Sequence, residues 1–195
     1  MNLPRLAILA SGSGSNFEAI AQAIADGMIP AQIEVVIYNN PGALVAKRAN
    51  RRGIPALLLD HRAYAQRQDH DRAIMDELHK YGVDVVIMAG WMRIVTPLLI
   101  SAYEDRILNI HPSLLPSFPG AKAVEQALDY GVKITGCTVH LVISEVDRGK
   151  ILAQAAVPVL PADTVASLQQ RIHAQEHILY PQTIREYLRE HFGQS

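Results

Sequence analysis

Apolar runs of strand length alternate with helical patterns through the first half of the chain. Residues 6–10 form an apolar run that predicts a strand, and 17–27 carry the spacing of an amphipathic helix closed near Gly27. The alternation repeats as strand 33–38, helix 43–52 stopped by Gly53 and Pro55, strand 56–59, helix 69–81 closed by Gly82, and strand 83–88. That last run is apolar apart from Asp84, as expected of a strand covered on both faces. A βαβαβαβ order implies parallel strands joined by right-handed crossovers.

Beyond residue 90 the pattern loosens. Residues 97–103 read as a short helix, 106–111 as a fifth strand and 122–130 as a helix. Two β-rich runs, 135–143 and 151–159, flank a polar stretch and predict an antiparallel pair. From Thr164 to about His191 the pattern is helical, with an interruption expected at Pro181. There is no internal repeat, low-complexity segment or Pro/Gly/Ser-rich linker. The expectation is one domain over 1–195, with 1–90 and 91–195 as its halves. Its fold class is α/β: a mostly parallel central sheet, helices on both faces, and an antiparallel C-terminal portion.

Composition narrows the function classes. The 195 residues are 49% hydrophobic, enough for a substantial core, and the formal net charge is −1. No basic tract stands out, so nucleic acid and anionic membrane surfaces are not expected partners. No apolar run approaches the roughly 20 residues that span a bilayer, and the first apolar run is short and followed at once by Ser11 and Gly12, unlike a secretory signal. Cys137 is the single cysteine, which fits a reducing compartment. A soluble cytoplasmic protein, monomer or homodimer, is expected.

The first candidate site is Ser11-Gly12-Ser13-Gly14-Ser15-Asn16, between the first strand and first helix. Glycine permits tight turns and close approach of an anion to backbone N–H groups, and the helix N-terminus adds unpaired donors. The dinucleotide fingerprint fails because Phe17 stands where a third glycine is required, and the P-loop fails for want of Gly-Lys-Ser/Thr. Phosphate binding is favoured over a plain turn capped by Asn16.

The second is Asn109-Ile110-His111-Pro112. On a strand, Asn109 and His111 share a face, and Pro112 ends the strand. They would sit at a strand's carboxyl end, where open α/β sheets bind ligands. An amide donor beside a proton carrier suits a carbonyl that becomes an oxyanion, which points to acyl transfer without a metal or nucleophilic side chain. Asp147 lies on a loop beside a strand end; near His111 its carboxylate would favour the imidazolium. Spacing alone favours the plainer reading of a packed histidine and an unrelated turn aspartate, because sequence separation says nothing of proximity.

Other features weigh less. His173-Ala174-Gln175-Glu176-His177 matches a zinc pattern, but no third ligand can be identified, and a groove-lining helix is favoured. His140 reads as a buried, hydrogen-bonded histidine that could face the same cleft. Cys137 reads as inert packing. The apolar side chains of Gly90-Trp91-Met92-Arg93-Ile94-Val95 could floor a flat aromatic ligand's pocket, against ordinary core with Arg93 reaching outward.

Taken together, these segments resemble the phosphoribosylglycinamide formyltransferase family of folate-dependent enzymes. The matching motifs are Ser-Gly-x-Gly-Ser-Asn at 11–16, Ala-Gly-Trp-Met-Arg-Ile at 89–94, Asn-Ile-His-Pro-Ser-Leu-Leu-Pro at 109–116, Gly-Cys-Thr-Val-His at 136–140, Asp147, and Gln-Glu-His at 175–177. The resemblance implies a Rossmann-like formyltransferase fold. It also implies transfer of a formyl group from 10-formyltetrahydrofolate, a co-substrate, to phosphoribosylglycinamide, with no metal. By the same resemblance Asn109, His111 and Asp147 are catalytic, and Gly14, Ser15, Asn16 and Glu176 bind phosphoribosylglycinamide. Arg67, Met92, Arg93, Ile94, Val95 and Asn109 contact folate. The chain departs from the pattern at Val124, where many relatives carry histidine, at Arg148 and Lys150 around the acid, and at His173. Methionyl-tRNA formyltransferases carry a further nucleic-acid-binding domain. Formyltetrahydrofolate deformylases usually carry an N-terminal regulatory domain, whereas here the first strand starts almost at once. A non-catalytic folate- or nucleotide-binding module and a zinc peptidase are the more distant alternatives.

Overall fold

The computed structural model describes residues 3–193. Seven strands form one sheet: β1 (Arg5–Ala10), β2 (Gln32–Tyr38), β3 (Ala56–Leu58), β4 (Val85–Met88), β5 (Ile107–His111), β6 (Ile134–Leu141) and β7 (Ile151–Pro158), in the order β3-β2-β1-β4-β5-β6-β7. The pairs from β3 through β5 are parallel, while β5–β6 and β6–β7 are antiparallel. Both expected parts of the sheet are therefore present. The helices are α1 (Ser15–Ala25), α2 (Leu44–Arg51), α3 (Arg67–Lys80), α4 (Pro97–Ala102), α5 (Ala123–Tyr130) and α6 (Val165–Phe192).

Side-chain alternation on the strands feeds two cores. Leu6, Ile8 and Ala10 of β1 join Val85 and Ile87 of β4 in one, with Phe17 and Ile20 of α1 and Leu168, Ile172 and Tyr180 of α6. Ala7 and Leu9, with Val86 and Met88, face the other, where Ile74 and Leu78 of α3 and Leu99 of α4 pack. Burial on both faces explains why these strands read as continuous apolar runs.

The interruption expected at Pro181 does not occur: α6 runs on through it to Phe192. Proline forfeits one backbone hydrogen bond, but the helix here is held from outside. Tyr180, Pro181 and Ile184 are buried, and the Tyr180 hydroxyl lies 2.9 Å from the carbonyl of Leu108 and 3.2 Å from that of Met88. Tertiary packing outweighs the local penalty.

From β1 the chain steps outward through β2 to β3, then crosses back to β4 on the other side of β1. The crevice beyond the carboxyl ends of β1 and β4 is thus a topological switch point, the usual ligand position in such sheets.

Candidate active site

A cleft of about 800 Å³ opens at that switch point. Its walls come from the loop after β1, the segment after β4, the end of β5, the loop before α5, the loop after β6, and one face of α6.

Asn109 and His111 lie on the face of β5 that also carries Ile107, and Asn109 pairs directly with Met88 of β4. The His111 ring is buried between two acceptors. Its Nε2 lies 2.8 Å from the carbonyl of Phe118, which can only accept, so this nitrogen carries hydrogen. Its Nδ1 lies 3.4 Å from Asp147 Oδ2. Both ring nitrogens thus face acceptors. Asp147 is brought there by a tight return of the chain after β6. It sits at φ 55°, and any side chain at Gly149 would strike the Leu141 carbonyl at 1.7 Å. Burial alone would raise the Asp147 carboxyl. The His140 hydrogen bond, the Gly120 amide (2.7 Å) and the charges of His111 and His140 outweigh it and hold the group below the ordinary carboxylate value.

His140 is more than packing. The antiparallel register sets it directly opposite Asn109. Its Nδ1 donates to the Leu141 carbonyl at 2.8 Å, and Asn109 Nδ2 lies 3.1 Å from Nε2, closer than Asp147 Oδ1 at 3.5 Å. His140 Nε2 thus sits between the Asn109 amide and the Asp147 carboxylate and ties the two together. His140 therefore belongs to the site that Asn109, His111 and Asp147 form.

The glycine-rich loop forms the opposite wall. Gly14, at φ 74°, occupies the N-cap position of α1, and a Cβ there would lie 2.6 Å from the Val45 side chain. No side chain caps α1, so its first-turn N–H groups are free for an anion. Asn16 does not cap the helix: its Nδ2 donates to Glu176 Oε2 at 2.8 Å, a contact that spans 160 positions. Burial raises the Glu176 carboxyl above its ordinary value, against the Asn16 hydrogen bond and the His173 and His111 charges. Between the ordinary 4.5 and the raised value, the folded protein keeps a proton that the unfolded chain has lost, so stability falls as pH rises through that window. Glu176→Gln should therefore melt at a higher temperature than the parent at about pH 7.5, with the gain gone at about pH 4. An equal shift at both pH values in thermal melts would contradict this.

Between these walls runs the segment after β4. Met92 is 74% and Ile94 51% exposed, while Trp91 and Val95 are buried. All four, with Arg93, line the cleft. Lys122 and Val124 line it as well, whereas Arg148 and Lys150 lie outside it. Arg67 opens α3, is solvent-exposed, and does not line the cleft. On α6, His173 lines the cleft and stacks on His177, with ring centroids 6.3 Å apart. No group of three or more His, Cys, Asp or Glu among the described residues is arranged to hold a metal ion. Cys137 is buried, and its thiol is pushed up to about 12 by that burial, with the Glu176 charge adding to it.

The family model described as formyl transferase matches residues 4–184. The chain belongs to the formyl transferase family. Within it, the phosphoribosylglycinamide formyltransferase of Bacillus subtilis is 39% identical over 186 residues, covering 95% of each chain. The human trifunctional purine biosynthetic protein adenosine-3 is 43% identical over 181 residues; the match covers 93% of this chain but 18% of that protein. The chain thus spans under a fifth of the trifunctional relatives it matches. Among solved structures, glycinamide ribonucleotide transformylase 1 of Symbiobacterium toebii is similar at a TM-score of 0.92 and 50% identity, covering 94% of this chain and 86% of that one. The Geobacillus kaustophilus transformylase gives 0.93 and 43%, covering 96% and 100%.

In this formyl transferase His140 is the buried, hydrogen-bonded histidine facing the cleft that its sequence context allowed; what the sequence did not show was its pairing with Asn109. A histidine on an apolar strand carries no mark of its neighbour until the β5–β6 register is known. The Gly120 amide and the Phe118 carbonyl, both backbone groups, had no signal at all.

Proposed function

We propose that the protein transfers the formyl group of 10-formyltetrahydrofolate to the amine of 5-phosphoribosylglycinamide. The products are formyl-phosphoribosylglycinamide and tetrahydrofolate, as in de novo purine synthesis. The observation that carries this reading is the convergence on one cleft of an anion-binding loop, an exposed apolar segment, and the Asn109–His111–Asp147 group. Family membership and the names of the relatives support the same reaction.

In this reading, residues 1–90 supply the phosphate-binding half. Gly14, Ser15 and Asn16 hold the phosphate on the free N–H groups of α1, and Glu176 orients the amine. The other half binds folate and carries out the chemistry. Met92, Arg93, Ile94 and Val95 receive the flat pterin end with Asn109, and the exposed Arg67 guanidinium suits tail carboxylates projecting from the cleft. The amine adds to the formyl carbon, and the oxyanion of the tetrahedral adduct is met by the Asn109 amide and the protonated His111 ring. The carbon–N10 bond then breaks. The amine loses one proton and N10 gains one, so the ring of His111, backed by Asp147, can give and recover a proton within a turnover. Much of the rate comes from holding two substrates in register.

The absorbance change on folate deformylation, followed with and without phosphoribosylglycinamide, tests this. Turnover that requires the acceptor supports transfer. Turnover independent of it identifies a hydrolase, and binding of folate without turnover identifies a non-catalytic module.

A further inference from the structure

The segment that joins β4 to α4 has no ladder or helix to hold its shape, yet it presents Met92 and Ile94 outward into the cleft. Such exposure of large apolar groups on irregular backbone needs anchors. At its start, the Ser11 amide donates to the Gly90 carbonyl at 3.0 Å, and the Met92 amide donates to Ser11 Oγ at 2.8 Å. In the middle, the buried Trp91 ring stacks parallel on His70 of α3, at 5.9 Å and 5°. His70 is itself fixed, with its Nε2 donating to the Leu59 carbonyl at 3.0 Å. At the far end the Thr96 amide donates to Asp71 Oδ2 at 2.5 Å.

Asp71 is the unusual member of this set. It is a carboxylate only 3% exposed, on a helix none of whose residues lines the cleft. Thr96 is the N-cap of α4, but its own side chain makes no capping bond and its Oγ1 is buried without a partner. The Asp71 carboxylate therefore satisfies the N-cap amide of α4 from α3, the part an N3 side chain plays in a capping box. A buried carboxylate needs such a donor, and a charge-assisted bond to backbone is among the strong ones.

We propose that Asp71 is a positioning residue for the folate co-substrate: through the Thr96 amide it holds residues 92–95 in the shape that receives the pterin. This rests on the assignment of that segment to folate made above. Asp71 does not line the cleft, and its hydrogen bond holds the end of the segment away from Ser11 and the glycine-rich loop. Its loss should thus act on one substrate and spare the other.

The test is steady-state kinetics with each substrate varied in turn, on the parent, Asp71→Ala, Asp71→Asn and Thr96→Pro. Asp71→Ala should raise KM for 10-formyltetrahydrofolate by about ten-fold, the scale of one lost hydrogen bond to a charged group, with KM for phosphoribosylglycinamide within about two-fold. In Asp71→Asn the amide oxygen still accepts from Thr96, and most of the affinity should return. Thr96→Pro removes the donor without touching Asp71, at an extended position (φ −89°, ψ 163°) close to what proline adopts, and should reproduce the selective loss. If Asp71→Ala fails to fold, the other two variants decide. An unchanged folate KM, an equal rise for both substrates, or an Asp71→Asn protein as impaired as the alanine variant overturns the proposal. Met92→Ser and Ile94→Ser separate this from the underlying assignment. If neither alters folate KM, the segment is not the folate site; if they do and Asp71→Ala does not, only the positioning role falls.

Discussion

His111→Ala should lower kcat by about 10²–10⁴-fold, the usual contribution of a positioned proton carrier, while KM for both substrates changes little. The ring lies at the cleft end of β5 with Asp147 on one nitrogen and the Phe118 carbonyl on the other. In the proposed mechanism one of these two acceptors gives way as the ring turns to the oxyanion and the departing nitrogen. Binding surface comes instead from the glycine-rich loop and from residues 92–95, on other elements. A loss confined to kcat marks an interaction made in the transition state. Steady-state kinetics on the purified variant checks this, and turnover within a few-fold of the parent would remove His111 from the mechanism.

Asp147→Asn should cost about 10²-fold or more in kcat, for a different reason. Asparagine tolerates the left-handed backbone that this position requires (φ 55°), so the loop survives the change. What is lost is the negative charge between two imidazoles. The parent carboxyl is held below the ordinary 3.8, so its stabilising contribution is complete above that value and disappears only as pH falls through the lowered one. The parent should therefore show no loss of activity from Asp147 between neutrality and about pH 5. The asparagine variant, in which no negative charge faces the two imidazoles, should instead gain activity relative to the parent as pH falls from neutrality. The pH–rate profiles of both proteins decide the matter. A variant with a uniformly reduced, parallel profile would assign Asp147 a purely structural part.

Much of the scaffold was legible along the chain because its signals are local. Each of the seven strands is visible as an apolar run, and the doubly covered β1 and β4 stand out because both faces are buried. Pro181 misleads for the same reason: the local cost of proline is real, and it is overridden by Tyr180 and Ile184 packing from across the molecule. Asn16 is similar. Its side chain could cap the helix or donate to a ligand, and it donates instead to Glu176 on α6.

Short-range spacing was enough to put Asn109 and His111 on one face, to end their strand at Pro112, and to set a glycine-rich turn before a helix, since strand and helix periods act over a few residues. Asp147 beside His111, His140 opposite Asn109, and Asp71 under Thr96 came from the antiparallel register of β6, the return held at Gly149, and the packing of α3. Those placements depend on contacts between residues tens of positions apart, whose free energies are summed over the whole core, and no local pattern carries them.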